Sequence, residues 1–160
     1  MLGFRRLFAV AAVLLAIAVA GSSGVAAGGD PGRTPFPGGD FSGVFCGPAI
    51  GIVLEHASTD KEYFKTYTLQ DGTTKFLVEG RLILEISGNG HTVTVNASGP
   101  GAEYLRTDGS VLVTGYGQVV FTGVHGEGIW LYNGNVAVDG NTGLLLSRTG
   151  HATDICAMLA

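Results

Sequence analysis

Charged residues are scarce in this chain, at 14% of its 160 residues, where ordinary globular proteins have roughly 25%. Lysine and arginine total only 9 against 13 aspartates and glutamates, so the formal net charge is −4. Domains that bind nucleic acid carry a clustered basic surface. The composition therefore predicts no nucleic-acid partner.

Long apolar runs are also few, and one extended apolar run lies near the start of the chain. Leu7 to Ala20 is uncharged, follows Arg5 and Arg6, and is followed by small residues, which is the organisation of a secretory signal peptide. Its 14 residues would rise about 21 Å as a helix, less than the roughly 30 Å hydrocarbon core of a bilayer. We predict that residues 1–27 are a cleaved signal peptide, with no transmembrane anchor after cleavage.

The cleavage position and the export route each leave an alternative. Val25-Ala26-Ala27 favours a cut after Ala27, and the earlier small residues allow one after Ala20. Arg5-Arg6-Leu7-Phe8 partly resembles a twin-arginine signal, whereas the Leu- and Val-rich run favours the general route. Either route predicts a secreted, extracellular protein.

Cysteine occurs only twice, at Cys46 and Cys156. Zinc ribbons and redox pairs need a second cysteine a few positions away, so this spacing excludes both. In an exported protein, two lone cysteines pair by default. We predict an intramolecular disulfide between them, with separate free or intermolecular thiols as the alternative.

Glycine, in contrast, is abundant, at 27 residues against a usual share of about 7%. It has no collagen period, so it is expected to mark turns. The segment 28–43 is rich in both glycine and proline, which is typical of a flexible or extended linker. We predict a linker over 28–43 and a single domain over 44–160.

Alternating polarity dominates that domain. In His91–Ser98 the valines share one face and the threonines the other, and Lys75–Ser87 repeats the pattern over a longer stretch, which is typical of half-buried strands. Gly80, on the apolar face of that stretch, indicates a bend or bulge. The other predicted strands are 49–57, 61–70, 102–106, 111–114, 118–122, 129–132, 136–138 and 144–148.

Turn signals separate these strands. Five Asp-Gly or Asn-Gly dipeptides start at Asp71, Asn89, Asp108, Asn133 and Asp139, and such pairs favour type I′ hairpin turns. They leave little room for helices, apart from a short one over 153–159 capped by Thr153. We predict an all-β fold: one antiparallel domain of about ten short hairpin-connected strands, forming an up-and-down barrel or barrel-like meander, with a β-sandwich as the alternative.

A set of short motifs resembles a group of small exported bacterial all-β proteins of unassigned function. The motifs are Glu62-Tyr63, Asp71-Gly72-Thr73, Ser98-Gly99-Pro100, Asp108-Gly109 and Asp154-Ile155-Cys156-Ala157. The similarity spans about 46–160 and consists mostly of turns and the cysteine pair. It implies export and an all-β fold, and it implies no catalytic residue.

Groups that could carry metal or acid–base chemistry are sparse. The four histidines are widely separated, and only His125-Gly126-Glu127 could place two metal ligands together. Its flanking glycines favour a loop instead, so we predict no metal site and no cofactor. Glu55, Glu79 and Glu85 are candidate general acids if any of them points inward, but alternation places the last two on the polar face.

Aromatic residues give the most specific hypothesis. Tyr63 and Tyr67 share one face of a predicted strand, and Trp130 and Tyr132 share one face of another. Such rows bind sugars and flat apolar ligands by stacking. We predict a ligand-binding surface formed by these four residues, with packing in the core as the alternative.

Three classes of function fit these features. A non-catalytic binding module for a small apolar or glycan ligand fits the aromatic rows and the sparse titratable residues best. A small-barrel isomerase or cyclase would need a titratable group such as His56 or Tyr116 beside substrate in a deep pocket. A structural or inhibitory protein of the cell envelope would instead act through a flat apolar surface.

Overall fold

The computed structural model describes residues 32–36, 40–124 and 128–160. The predicted signal peptide and the His125-Gly126-Glu127 tripeptide lie outside these ranges. The described residues form ten antiparallel strands and one short helix, so the all-β prediction is confirmed. The elements are β1 (Thr34–Pro35), β2 (Phe41–Gly43), β3 (Val53–Thr68), β4 (Thr74–Gly88), β5 (His91–Asn96), β6 (Gly101–Leu105), β7 (Val111–Thr122), β8 (Ile129–Asp139), β9 (Leu145–Arg148), β10 (His151–Asp154) and α1 (Ile155–Leu159).

All ten strands belong to one sheet. Its main path runs β1-β3-β4-β6-β7-β8-β10, while β2 pairs with β3, β5 with β4 and β9 with β8. The path ends at β1 and β10, and no ladder among the described residues joins these two strands. The sheet therefore curves like a barrel or a two-layer sandwich without closing.

The partition into strands differs from the prediction. Three pairs of predicted short strands are continuous in the structure, as β3, β7 and β8. Asn133-Gly134, predicted as a turn, lies inside β8, where Gly134 faces Gly117 of β7 in unbroken register. Both glycines have positive φ, so they let a long strand twist sharply where the sequence pattern suggested that it ends.

Three short strands were not predicted at all. β1 and β2 lie within the segment that was expected to be a linker, and both pair with β3. β10 lies just before the helix and pairs with β8. Strands of two to four residues carry too little alternation to be read from sequence, and their pairing with a long neighbour defines them.

The predicted type I′ turn occurs at one of the five dipeptides. Asn89 and Gly90 have φ of 51° and 78°, as that turn requires. At Asp71-Gly72 only the glycine has positive φ, and the Asp71 carboxylate accepts the Thr73 N–H at 2.9 Å. This hydrogen bond favours a different turn type, because it ties the aspartate side chain to the backbone two residues further along the chain.

Of the predicted bend or bulge at Gly80, the bulge is absent, and the glycine instead permits a close approach of the paired strands β3 and β4. The register shift between β3 and β4 lies between Ala57 and Thr59, whereas pairing through Gly80 is continuous. Gly80 has a φ of 143°, and a Cβ there would collide with the Lys61 carbonyl oxygen. Glycine is therefore required for backbone contact at this position.

Two hydrophobic clusters form the core. The first joins Val53 of β3, Ile86 of β4, Val95 of β5 and Ile129 of β8 to the helix residues Ile155 and Leu159. The second lies on the other face of β7 and β8 and includes Val119, Tyr132, Val136 and Val138. The curved sheet thus buries apolar side chains against itself, with the short helix closing one end.

The predicted disulfide between Cys46 and Cys156 is present and holds that helix against the first cluster. The Ile129 N–H donates to Cys156 Sγ at 3.3 Å. The helix cap differs from the prediction: Asp154, one residue after Thr153, accepts the Ala157 N–H at 3.2 Å. Among the described residues, no helix is long and apolar enough to cross a membrane.

We expect Cys156→Ser to lower the free energy of unfolding by about 4 to 5 kcal/mol, because the bond closes a loop of 110 residues. Cys46→Ser should cost the same, and the double variant no more than either single one. Thermal melts with and without reductant check this. Labelling of two thiols by alkylation without reduction, or melts that match the wild type, would contradict it.

Candidate functional site

A cavity of about 470 Å³ lies between β2, β3 and β6–β8, and this volume is typical of small-molecule sites. Its wall is mostly apolar. The apolar side chains are Phe41, Phe45, Val111, Val113, Val120, Phe121, Val124 and Val138. The acidic side chains on the wall are Glu55, Glu103 and Asp139, and none of the described residues that line it is Lys, Arg or His.

Strand alternation builds one side of this cavity. Glu103 of β6 faces Val113 of β7, and Val113 faces Val138 of β8, so the three side chains form a row across neighbouring strands. Residues directly opposite each other in a ladder share a face. The row therefore combines two valines with one carboxyl group on the concave face.

A loop after β8 forms part of the rim. The Asp139 carboxylate accepts the N–H groups of Asn141 and Thr142 at 2.9 and 3.1 Å. Asn141 Oδ1 accepts the Val111 N–H at 2.7 Å, and its amide donates to the Gly109 carbonyl at 3.2 Å. Asp139 thus holds the loop in shape, and Asn141 fixes it to the start of β7.

Glu55 is the most deeply buried carboxyl group of the cavity, with only 7% of the residue exposed. The Thr122 hydroxyl donates to Glu55 Oε1 at 2.7 Å, and this bond joins β3 to β7, which are not neighbours in the sheet. Burial raises the pKa of Glu55 because it destabilises the anion, and the Thr122 hydrogen bond offsets part of that effect. Of the three candidate general acids, Glu55 is the one that points into the cavity.

Glu103 is the second carboxyl group of the wall, besides Glu55, that makes no hydrogen bond to the rim loop. The alternation pattern of the sequence did not point to it. Burial among apolar neighbours raises its pKa, and Phe76 of β4 and Val113 of β7 lie opposite it in the ladders. The short segment Gly101–Leu105 gave no clear inward face in sequence. Only the pairing of β6 with both neighbours reveals its orientation.

The structure does not bring the two predicted aromatic rows together. Three strands, β4, β6 and β7, separate β3 from β8 in the sheet. The registered ladders also place Trp130 and Tyr132 on the face of the sheet that carries Val113, whereas Tyr63 and Tyr67 lie on the opposite face, called the outer face here. Any ligand surface would have to use one row without the other.

Each row has its own surroundings. Tyr132 is 2% exposed and packs edge to face on Phe121, with ring centroids 5.9 Å apart. Trp130 packs partly buried against the same cluster, and its indole N–H is buried without a hydrogen bond to any other described residue. These features match the alternative of a core role for the β8 row.

On the outer face, Tyr63 donates its hydroxyl to Glu79 at 3.2 Å and lies under the Arg33 guanidinium at 4.4 Å. Lys75 Nζ lies 5.9 Å from the Tyr67 ring centroid and 5.4 Å from that of Tyr104. The predicted row is therefore part of a surface of alternating aromatic and charged side chains. It contributes nothing to the cavity.

The groups named for an enzyme site also lie elsewhere. The His56 side chain is 49% exposed and contacts Asp40 at 2.8 Å, and Tyr116 is 45% exposed. Glu79 and Glu85 lie on the outer face of β4, as alternation predicted. Across the described ranges, no three His, Cys, Asp or Glu side chains form a group that could hold a metal ion.

Comparison with known proteins adds no relative: no protein-family model, no curated protein and no solved structure matches this chain.

The inward-facing Glu62 of β3 predicts a pH dependence of stability. Burial, followed by repulsion from Asp60, raises its pKa from 4.5 to about 7. The folded state thus binds this proton more tightly than the unfolded chain, and the resulting stabilisation is complete below pH 4.5 and is lost as the pH rises through 7. We expect Glu62→Gln to raise the melting temperature at about pH 8 but not at about pH 4.

The matched control is Glu85→Gln, which removes the same charge from the outer face of β4 and should give no such pH-dependent gain. Melting curves of the three proteins over this pH range make the comparison. A Glu62→Gln curve parallel to the wild type throughout would contradict the assignment.

For Trp130, we expect Trp130→Ala to lower the free energy of unfolding by roughly 3 kcal/mol, because it leaves a cavity in the second cluster. The emission of this sole tryptophan should be blue-shifted and resistant to acrylamide. Tyr116→Ala, at an aromatic residue that is 45% exposed on the same sheet, should cost far less. Red, quenchable emission with an intact melt would favour the aromatic binding surface instead.

Proposed function

We propose that this protein is a secreted, non-catalytic binding module that holds a small, largely apolar molecule in the cavity between β2, β3 and β6–β8. The observation that carries the proposal is the cavity itself, with its volume of about 470 Å³ and its wall of phenylalanine and valine side chains. Leaving such a surface in contact with water is unfavourable, at roughly 25 cal/mol per Å² of apolar area. An apolar ligand would recover that free energy.

The rigidity of the wall supports the same proposal. The Glu55–Thr122 bond, the Asp139 and Asn141 loop contacts and the disulfide each fix a different part of the cavity or its surroundings. A pre-formed site binds without the entropy cost of ordering its own side chains. The cavity thus has the properties of a binding site that does not need to fold around its ligand.

Secretion is the second part of the proposal. The disulfide fits an oxidising compartment outside the cytosol, and the charged start, apolar run and small residues of 1–27 fit a cleaved signal peptide. A small acidic carrier or sensor of apolar molecules outside the cell is consistent with both features.

Acid–base catalysis is the second candidate, because the buried Glu55 and the half-buried Glu103 favour it. Burial raises the pKa of both Glu55 and Glu103, and a carboxyl group with a raised pKa can act as a general acid near neutral pH. An isomerase would use one group to donate and the other to accept a proton. Conversion of a bound ligand to a product, lost in Glu55→Gln, would favour this candidate over simple binding.

Titration with N-phenyl-1-naphthylamine, an uncharged apolar fluorophore, tests the binding proposal. We expect saturable, one-site enhancement of its fluorescence on addition of the purified protein. Val113→Trp should weaken binding more than tenfold, because the larger ring fills the cavity.

The matched control is Leu112→Trp, one residue earlier and on the opposite face of β7, which should bind like the wild type. Circular dichroism of both variants reports whether the fold is retained. Absence of saturable binding, or equal binding by the two tryptophan variants, would contradict the cavity as the site.

A further inference from the structure

Among the residues that the structure describes, the acidic groups of the cavity have no basic side chain beside them in the cavity wall. None of the described residues that line it is Lys, Arg or His. Asp139 is committed to the rim loop, where it accepts two backbone N–H groups. This leaves Glu55 and Glu103 as carboxyl groups that face an apolar space.

Both of these groups have hydrogen-bonding capacity that the described residues do not use. Glu55 Oε1 accepts from Thr122, and no described residue donates to Glu55 Oε2, which keeps some contact with the cavity space while the residue as a whole is only 7% exposed. The half-buried Glu103 side chain forms neither a hydrogen bond nor an ion pair with another described residue, and it has apolar neighbours on both sides in the ladder. A carboxylate that is partly removed from water is destabilised unless a donor or a positive charge meets it.

The aromatic part of the wall is suited to the same kind of partner. Phe41, Phe45 and Phe121 line the cavity together with the two carboxyl groups. The face of an aromatic ring carries partial negative charge and attracts an ammonium group, most strongly where water is excluded. The carboxylates and the aromatic rings therefore both favour a positively charged ligand and repel an anionic one.

We propose that the ligand of this cavity is an apolar amine, whose hydrocarbon part packs on the phenylalanine and valine side chains and whose positive charge is attracted by the Glu55 and Glu103 carboxyl groups of the cavity wall. This inference rests on the proposed function, since it assigns the ligand class of the same cavity. A positive charge there would also lower the pKa of both carboxyl groups again, because it stabilises their anions.

Three matched probes test the charge preference: 4-phenylbutylamine, 4-phenylbutanol and 4-phenylbutyrate, which share one apolar body and differ in the terminal group. Calorimetric titration of the purified protein at about pH 8 keeps the butyrate probe ionised and the amine probe protonated. We expect the amine to bind at least tenfold more tightly than the alcohol, and the carboxylate more weakly than either.

Three Glu→Gln variants test which carboxyl groups cause the preference for the amine. Glu55→Gln, which can still accept the Thr122 hydrogen bond, and Glu103→Gln should each weaken amine binding about tenfold while leaving alcohol binding unchanged. Glu85→Gln on the outer face of β4 should change neither. If Glu55→Gln fails to fold, as judged by circular dichroism, Glu103→Gln and the three probes still decide the question.

The outcomes separate the two proposals. Equal or tighter binding of the alcohol, or tightest binding of the carboxylate, would overturn the amine assignment and leave the apolar binding site standing. Failure of all three probes together with N-phenyl-1-naphthylamine would overturn the binding site as well. Amine binding that persists unchanged in both Gln variants would overturn the assignment of Glu55 and Glu103.

Discussion

A single antiparallel sheet has to bury its apolar face, and the described chain offers only five helical residues to cover it. The sheet must therefore curve until its own strands cover each other. Long strands achieve this by twisting at internal glycines, such as Gly80 in β4 and Gly134 in β8. The Glu55–Thr122 hydrogen bond then connects two strands that are not adjacent in the ladder order. The Cys46–Cys156 disulfide ties the segment between β2 and β3 to the helix.

This curvature explains why the molecule has both a core and a cavity. Where the helix closes one end, Ile86, Ile129 and Ile155 fill the interior completely. Where β6–β8 face the segment before β3, the described side chains do not meet, and about 470 Å³ stays open between them. The same removal of water that stabilises the core raises the pKa of the two carboxyl groups there, so the proposed ligand chemistry follows from the architecture.

The sequence pattern predicted the fold class and the disulfide because both depend on local signals: alternating polarity, turn dipeptides and two isolated cysteines. It misplaced strand ends where glycine permits a twist within a strand, as at Asn133-Gly134. It also left the candidate site largely unidentified. Glu55 was a candidate only if it pointed inward, and Glu103 was not considered, because the face of a short strand is decided by its ladder partners.

The predicted aromatic rows show the same limit of a sequence pattern: it assigns faces within one strand but not the pairing between strands. Period 2 correctly placed Tyr63 with Tyr67 and Trp130 with Tyr132 on shared faces of their strands. Alternation cannot say which strands become neighbours or which face is concave. That information comes from topology, which separates the rows by three strands and places them on opposite faces.

A crystal structure of the protein determined under xenon pressure would show whether the curved sheet encloses a pre-formed apolar cavity. Xenon enters apolar cavities without a specific chemical partner. We expect a xenon site between Phe45, Phe121 and Val113, with the Glu55 carboxyl group still bonded to Thr122. A space filled by the protein's own side chains, with no xenon among these residues, would contradict this expectation.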